Sequence, residues 1–456
     1  MLKKYLIKDI YFYLILVFTI VISTKINYNA NLMGNMVVYY EDYANFFKNN
    51  FKLETLFENS QYTFPMWGFG IVILLFKKKI VIICFQQLIT FLTILYFEKS
   101  LRNLKIVDDI FSLRLLLLIS YCYYFIHTSL TPYSISVNLF TFGILFLLYF
   151  HRFQKIKYLI LSAFCFGIIL NFRSDYYYLI YIIFLFLIAT SFKEKKSKII
   201  KISICVWFII IQSFLLPWGY YTYKRVGHVL PTSTNAGHVF FLGLGQLPNN
   251  VWKITEEDND STMKSYLIKT FGKNNANSLS YEQNIYLLKK WKELVLKNPI
   301  EYSKKCLTNA EKIIKMPFYV GNLENIYDNS NKNYIKKKIR GLANGRDYFQ
   351  LIKYIFIGEG NIFLISFFLN VFSISLFSTF ILLMLVMFIK NNIFNSFISK
   401  LILICFTYQL ALSIFTFYLP IYNSNLYLIY ILGIFYFKKM IMVNTIKNPL
   451  TSNRNN

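Results

Sequence analysis

Two stretches of this chain hold most of the residues that could do chemistry. One is Asn171-Phe172-Arg173-Ser174-Asp175, set between two apolar runs. The other is Leu216-Pro217-Trp218-Gly219-Tyr220-Tyr221-Thr222-Tyr223-Lys224-Arg225-Val226-Gly227-His228, continuing to Pro231-Thr232-Ser233-Thr234-Asn235-Ala236-Gly237-His238. A guanidinium grips a phosphate through two parallel hydrogen bonds, and an ammonium holds it as a point charge. Lys224 and Arg225, beside aromatic residues, therefore suit a lipid phosphate. The Thr-Ser-Thr-Asn-Ala-Gly run offers the hydroxyl, amide and backbone donors of an anion or sugar site. Its polar candidates are His228, Asn235 and His238. An Arg173 and an Asp175 this close to apolar segments should pair or contact a ligand. The plain alternatives are an ion pair that anchors helix ends and side chains that snorkel to lipid headgroups.

A third stretch, Tyr39-Tyr40-Glu41-Asp42-Tyr43-Ala44-Asn45-Phe46-Phe47, reads as an amphipathic helix in the membrane interface. Tyr40 and Ala44 share a face, whereas Glu41 and Asp42 are adjacent and point to different faces. One of them can aim into a site and take a proton from an attacking hydroxyl; a solvated helix face explains them equally well. The acidic pair permits a divalent cation as cofactor but has no ligand spacing that specifies one.

These residues need elements to position them, and composition says which. The chain has 456 residues, 56% hydrophobic and 16% charged. A soluble domain carries about a quarter charged residues. Soluble enzymes, disordered chains and disulfide scaffolds are excluded, and an all-α integral membrane protein is expected. Cys84, Cys122, Cys165, Cys205 and Cys405 lie in apolar runs, and Cys306 stands alone in a hydrophilic one. Neither they nor the four scattered histidines have metal-ligand spacing, so no structural or catalytic zinc site is expected.

Apolar spans run at about 10–23, 80–97, 110–127, 134–150, 156–172, 176–191, 199–217, 362–389, 396–419 and 423–437. They bracket the ~20 residues that cross ~30 Å of hydrocarbon. The short run 66–76 decides parity. If it does not cross, Lys/Arg-rich loops fall on one side, at Glu98–Lys105, His151–Lys157, Phe192–Lys201, Lys390–Asn395 and Lys438–Asn456. The charge-poor turns Thr128–Tyr133, Arg173–Asp175 and Pro420–Asn423 fall on the other. The positive-inside rule then gives about ten spans with both termini cytoplasmic. The organisation is a transmembrane module over 1–217 with a first exterior loop at 25–79, a large exterior loop over 218–361, and C-terminal spans with a cytoplasmic tail over 362–456. The pattern at Lys289–Lys297 predicts an amphipathic helix ending at Asn298-Pro299. The charge of +27 is partly positive-inside charge. With no separate basic domain, nucleic acid is not the expected partner; the bilayer and an anionic ligand are.

An ordered set of features resembles the GT-C superfamily of membrane glycosyltransferases, specifically bacterial relatives of protein O-mannosyltransferases and of lipid A aminoarabinose transferases. The set comprises one span, the Tyr40…Ala44 helix, Pro65 in Tyr62-Thr63-Phe64-Pro65-Met66-Trp67-Gly68, Arg173 before the sixth span, and Pro217-Trp218…Lys224-Arg225…Gly227…Pro231 through Gly237. Lys297-Asn298-Pro299-Ile300-Glu301-Tyr302 also fits. The match covers roughly the first 310 residues. It implies interfacial helices in the first exterior loop. It also implies transfer of a sugar from a polyprenyl-phosphate carrier to a glycan, lipid or protein acceptor on the extracytoplasmic face of a bacterial inner membrane. Lys77 and Lys78 would then approach the carrier phosphate. One departure matters: the family's catalytic aspartate falls at Met36, beside Asn35, and neither is a base. Glu41, Asp42 or Asp175 are the substitutes. Rival readings are an O-antigen-type polysaccharide polymerase and a lipid-linked sugar transporter or flippase, with a structural scaffold as the plainest.

Overall fold

The computed structural model describes residues 66–128, 132–258, 260–318, 347–356, 361–390, 396–419 and 426–447, with isolated positions at 12–14, 16–17, 45, 48, 337–338, 341–342, 345 and 394. Among the described residues all regular structure is helical. The helices are α1 (Gly68–Phe76), α2 (Lys79–Asn103), α3 (Ile110–Thr128), α4 (Pro132–Phe153), α5 (Ile156–Leu170), α6 (Tyr176–Lys193), α7 (Lys198–Ser213) and α8 (Leu216–Val226). They continue as α9 (Ala236–Gly243), α10 (Ser261–Phe271), α11 (Tyr281–Lys297), α12 (Pro299–Lys315), α13 (Tyr348–Phe356), α14 (Asn361–Ile389), α15 (Phe397–Phe415) and α16 (Tyr427–Lys447). Among the described residues, five helices are long and apolar enough to cross a membrane, or six if the bent pair α7–α8 counts as one span. The all-helical membrane class follows from the long apolar runs, because a backbone in lipid must satisfy its own hydrogen bonds.

Side-chain bonds fix the direction of each helix. Asn138 Nδ2 donates to Thr90 Oγ1 at 2.5 Å and Asn103 Nδ2 to Tyr149 Oη at 3.2 Å, so α2 and α4 run parallel. Ser162 Oγ donates to Gly143 O at 3.0 Å, and Trp207 Nε1 to Ser162 Oγ at 3.3 Å, layering α5 between α4 and α7. At one end, called inner after the side the loop charges are expected to face, the His151 ring stacks on Phe397 at 4.0 Å and Ser396 bonds Tyr436. At the other, the outer end, Tyr408 at the far part of α15 donates to the backbone of Asp175 before α6. Helices α2 to α7 and α14 to α16 thus run alternately between the two ends.

The nine-residue α1 is about 13 Å long and does not cross ~30 Å of hydrocarbon. Its Phe76 ring lies 4.4 Å from Phe85, which lays it beside the first turns of α2 at the outer end. Two boundaries differ from the sequence reading. The span expected to end near 97 continues to Asn103, and Glu98 is a buried helical residue rather than part of a loop. Arg114 explains this: its Nε and Nη2 reach Glu98 Oε1 at 3.1 and 2.9 Å, locking the inner ends of α2 and α3. The span expected over 199–217 breaks at Ser213 and bends by 41° into α8. Pro217 falls in the first turn of α8, where its missing N–H leaves no bond unmade.

Helices α9 to α12, which belong to the loop expected outside and are called the exterior unit below, close over a small core of Phe241, Leu244, Trp252, Met263, Leu267 and Leu287. As the pattern predicts, α11 ends at Lys297 and Pro299 opens α12. This unit is fastened to the bundle by α12. The last carbonyls of a helix have no intrahelical partner. Those of α15 are met by Tyr302 (Oη to Phe415 O, 2.7 Å), Asn309 (Nδ2 to Ser413 O, 3.1 Å) and Lys305 (Nζ to Ile414 O, 3.1 Å, and to Thr416 O).

Candidate functional site

Three segments far apart in sequence meet at the outer end. Gly68 N donates to Asn171 O at 2.8 Å, and Trp67 Nε1 to Asn171 Oδ1 at the same distance. Asn171 Nδ2 in turn donates to Phe214 O at 3.1 Å, where α7 bends into α8. The Trp67 ring packs against Trp218 and Tyr221 of α8, with centroids 5.6 and 5.5 Å apart. Asn171 is thus the hub on which the start of α1 and the root of α8 are hung.

Gly68 is required by this closeness: a Cβ there would stand 2.6 Å from Asn171 O. Overpacking of this kind costs about 1–3 kcal/mol. Gly68→Ala is expected to lower the midpoint of thermal unfolding in detergent by several degrees. An unchanged midpoint would show that α1 is not seated on the 171–175 turn.

That turn carries the pair the sequence pointed to. Arg173 Nε and Nη2 donate to Asp175 Oδ1 and Oδ2 at 2.8 and 2.7 Å, a bidentate bridge whose side chains are 11% and 20% exposed. The guanidinium also lies 4.0 Å from the centroid of Tyr133 at the start of α4. Both Asp175 oxygens are engaged, so in this arrangement it orients Arg173 rather than standing ready as a base. Ser174 Oγ lies 3.0 Å from Ser233 Oγ, and Ser233 donates to Asn235 Oδ1 at 2.9 Å. The Thr-Ser-Thr-Asn run is therefore joined directly to the Arg173 turn.

The other candidates are placed as follows. Lys224 and Arg225 occupy the last turn of α8 rather than a loop beyond it. Adjacent helical residues point about 100° apart: Lys224 is exposed with its Nζ 5.6 Å from the Tyr220 ring, and Arg225 is half-buried on the side of Tyr221. They form two separate cationic positions, not one clamp. Gly227 ends α8 in the left-handed conformation (φ 75°), and Thr222 Oγ1 accepts from Leu230 N at 3.0 Å, folding the chain back toward Ser233. The expected 232–238 loop is shorter than read, because Asn235 is the N-cap of α9. His228 is exposed with its ring 5.0 Å from Tyr281. His238 turns away from the Arg173 turn, into the exterior unit. Lys77 and Lys78 are exposed at the α1–α2 junction, one helix length of about 13 Å from Gly68. Glu41 and Asp42 lie outside the described residues.

Trp67, Asn171, Tyr133 and Tyr408 complete the site. Trp67 and Asn171 stand inside the quoted motifs without a role assigned from sequence; Tyr408 sits in an apolar span with no local mark. No family model, no curated protein and no solved structure matches the chain.

Proposed function

We propose that this protein is a membrane glycosyltransferase that moves a sugar from a polyprenyl-phosphate carrier to an acceptor at the outer face. The observation that supports it most is the meeting of the Trp67-Gly68 segment, the Arg173 turn and the α8–Asn235 segment at one end of the helical bundle. These are the segments that carry the resemblance to the GT-C superfamily. The alternating helices, with the apolar run at 10–23 added, are compatible with ten crossings and termini on one side; in this proposal that side is the cytoplasm and the membrane is a bacterial inner membrane.

In this reading the carrier enters laterally between helices, with its phosphate at the lipid surface. Lys224 and Arg225 offer it two cationic contacts at the rim. Arg173 is pre-set by Asp175 and Tyr133, so little freedom is lost when an anion approaches it. The bond from the anomeric carbon to the phosphate oxygen breaks as the acceptor oxygen attacks in line, which inverts that carbon. Cations at the departing phosphate stabilise the charge it gains. A carboxylate of Glu41 or Asp42 takes the acceptor proton.

The test is transfer by purified protein from radiolabelled polyprenyl-phosphate sugars. Removing a charged donor from a developing anion costs about 10²–10³ in rate. Lys224→Ala/Arg225→Ala is expected to fall by at least about 10². Unchanged turnover would remove both residues from the phosphate site.

A further inference from the structure

The exterior unit holds a second constellation, away from the Arg173 turn. His238, on the first turns of α9, is 8% exposed. Its Nε2 lies 3.2 Å from Asp258 Oδ1, and its Nδ1 lies 2.9 Å from Ser278 Oγ. A carboxylate can only accept, so Nε2 carries the ring proton and donates it to Asp258. In the neutral ring Nδ1 is then the bare nitrogen, and the Ser278 hydroxyl is placed to donate to it.

Independent contacts hold the three together. Gly237 N donates to Asn284 Oδ1 at 2.6 Å, and the Gly237 Cα lies so close to the Asn284 carbonyl that no side chain fits. Thr234 Oγ1 donates to Leu279 O at 2.7 Å, and Asn277 N to Gln283 Oε1 at 2.7 Å. These bonds press the start of α9 against the turn that carries Ser278. The imidazole is buried, Ser278 is half-buried and the Asp258 side chain is 91% exposed.

A serine hydroxyl bonded to an imidazole that a carboxylate orients is the arrangement of nucleophilic acyl transfer. Here the two ring nitrogens exchange their usual parts. The geometry points to Ser278 as a nucleophile toward carboxylic esters, with His238 Nδ1 as its base and Asp258 as the group that positions the ring. This activity is separate from sugar transfer and does not depend on it.

The step balances as ester hydrolysis. Ser278 Oγ attacks the carbonyl carbon, the Oγ–C bond forms and the proton passes to Nδ1. The C–O bond to the alcohol breaks, and Nδ1 returns the proton to the departing alkoxide. Water then attacks the acyl-serine by the same route, releasing a carboxylic acid and restoring Ser278. Ser278 lies in a turn rather than between apolar helices that would hold a long chain, so a short acyl group such as acetyl is the substrate to test.

The test uses the full chain in detergent with a fluorophosphonate probe, which phosphonylates activated serines, and with p-nitrophenyl acetate. The wild type is expected to label at Ser278, located by peptide mapping, and to cleave the acetate. Ser278→Ala is expected to do neither. Asp258→Asn, at an exposed position that does not threaten folding, is expected to label at least about 10-fold more slowly, since loss of the orienting carboxylate is costly in such sites. Labelling no faster than in heat-denatured protein, labelling that persists in Ser278→Ala, or an unchanged rate in Asp258→Asn would each overturn the assignment.

Discussion

Arg173→Ala is expected to abolish sugar transfer and to destabilise the protein by about 3 kcal/mol. The variant strands Asp175 in a largely buried position with both oxygens stripped of their donors. Breaking a buried pair by removing one partner costs about 3–5 kcal/mol, and the lower figure applies here because the Asp175 side chain keeps 20% exposure. Loss of the guanidinium over Tyr133 adds to it. Arg173→Lys keeps the charge but cannot form the planar two-bond bridge, so it should fall between. Removing both partners together should cost less than the two single losses combined, because neither charge is then left stranded. Thermal unfolding of the wild type, Arg173→Ala, Asp175→Ala and the double variant in detergent reads this coupling. Strict additivity would mean that the bridge does not hold the turn.

The second large effect concerns Lys305, whose ammonium caps the carbonyl end of α15 from the exterior unit. Burial pulls its pKa down from the usual 10.5 to about 8. Below pH about 8 the lysine is charged in both folded and unfolded chains, and the full penalty of burying that charge weighs on the fold. Between about 8 and 10.5 the folded protein releases the proton first and the unfolded chain binds more, so stability rises with pH. A change of this size corresponds to about 3 kcal/mol. The neutral amine still has two N–H donors for the two carbonyls, so the charge is lost but the bonds are kept. Relative to Lys305→Met, the wild type should gain stability across that window and run parallel to the variant below it. Parallel curves at every pH would mean that the ammonium is solvated.

The bundle was largely legible because runs of about 20 apolar residues have one stable form in lipid. The charge on the loops around 66–76 leads to the expectation that it does not cross, and the nine residues of α1 are too few to span the hydrocarbon alone. What escaped were contacts across the sequence. Glu98 looked like a loop residue because its partner, Arg114, sits on the next helix. Lys305 carried no mark in the sequence; its partners are backbone carbonyls more than a hundred residues away, and carbonyls leave no trace in a sequence. At the site, Arg173 and Asp175 are two residues apart, so their pairing could be anticipated. The Ser174–Ser233 contact could not, because neither serine is distinctive alone. The divergence of Lys224 from Arg225 follows from α8 being helical through Val226, which sets adjacent side chains about 100° apart.

The most direct measurement places the purified protein in proteoliposomes with a polyprenyl-phosphate sugar labelled in both the sugar and the phosphate, and an acceptor outside. The proposal predicts that the sugar label leaves the lipid and joins the acceptor while the phosphate label stays on the carrier, with the anomeric centre inverted. An intact lipid-linked sugar that merely appears in the opposite leaflet would contradict it, and would make the protein a transporter.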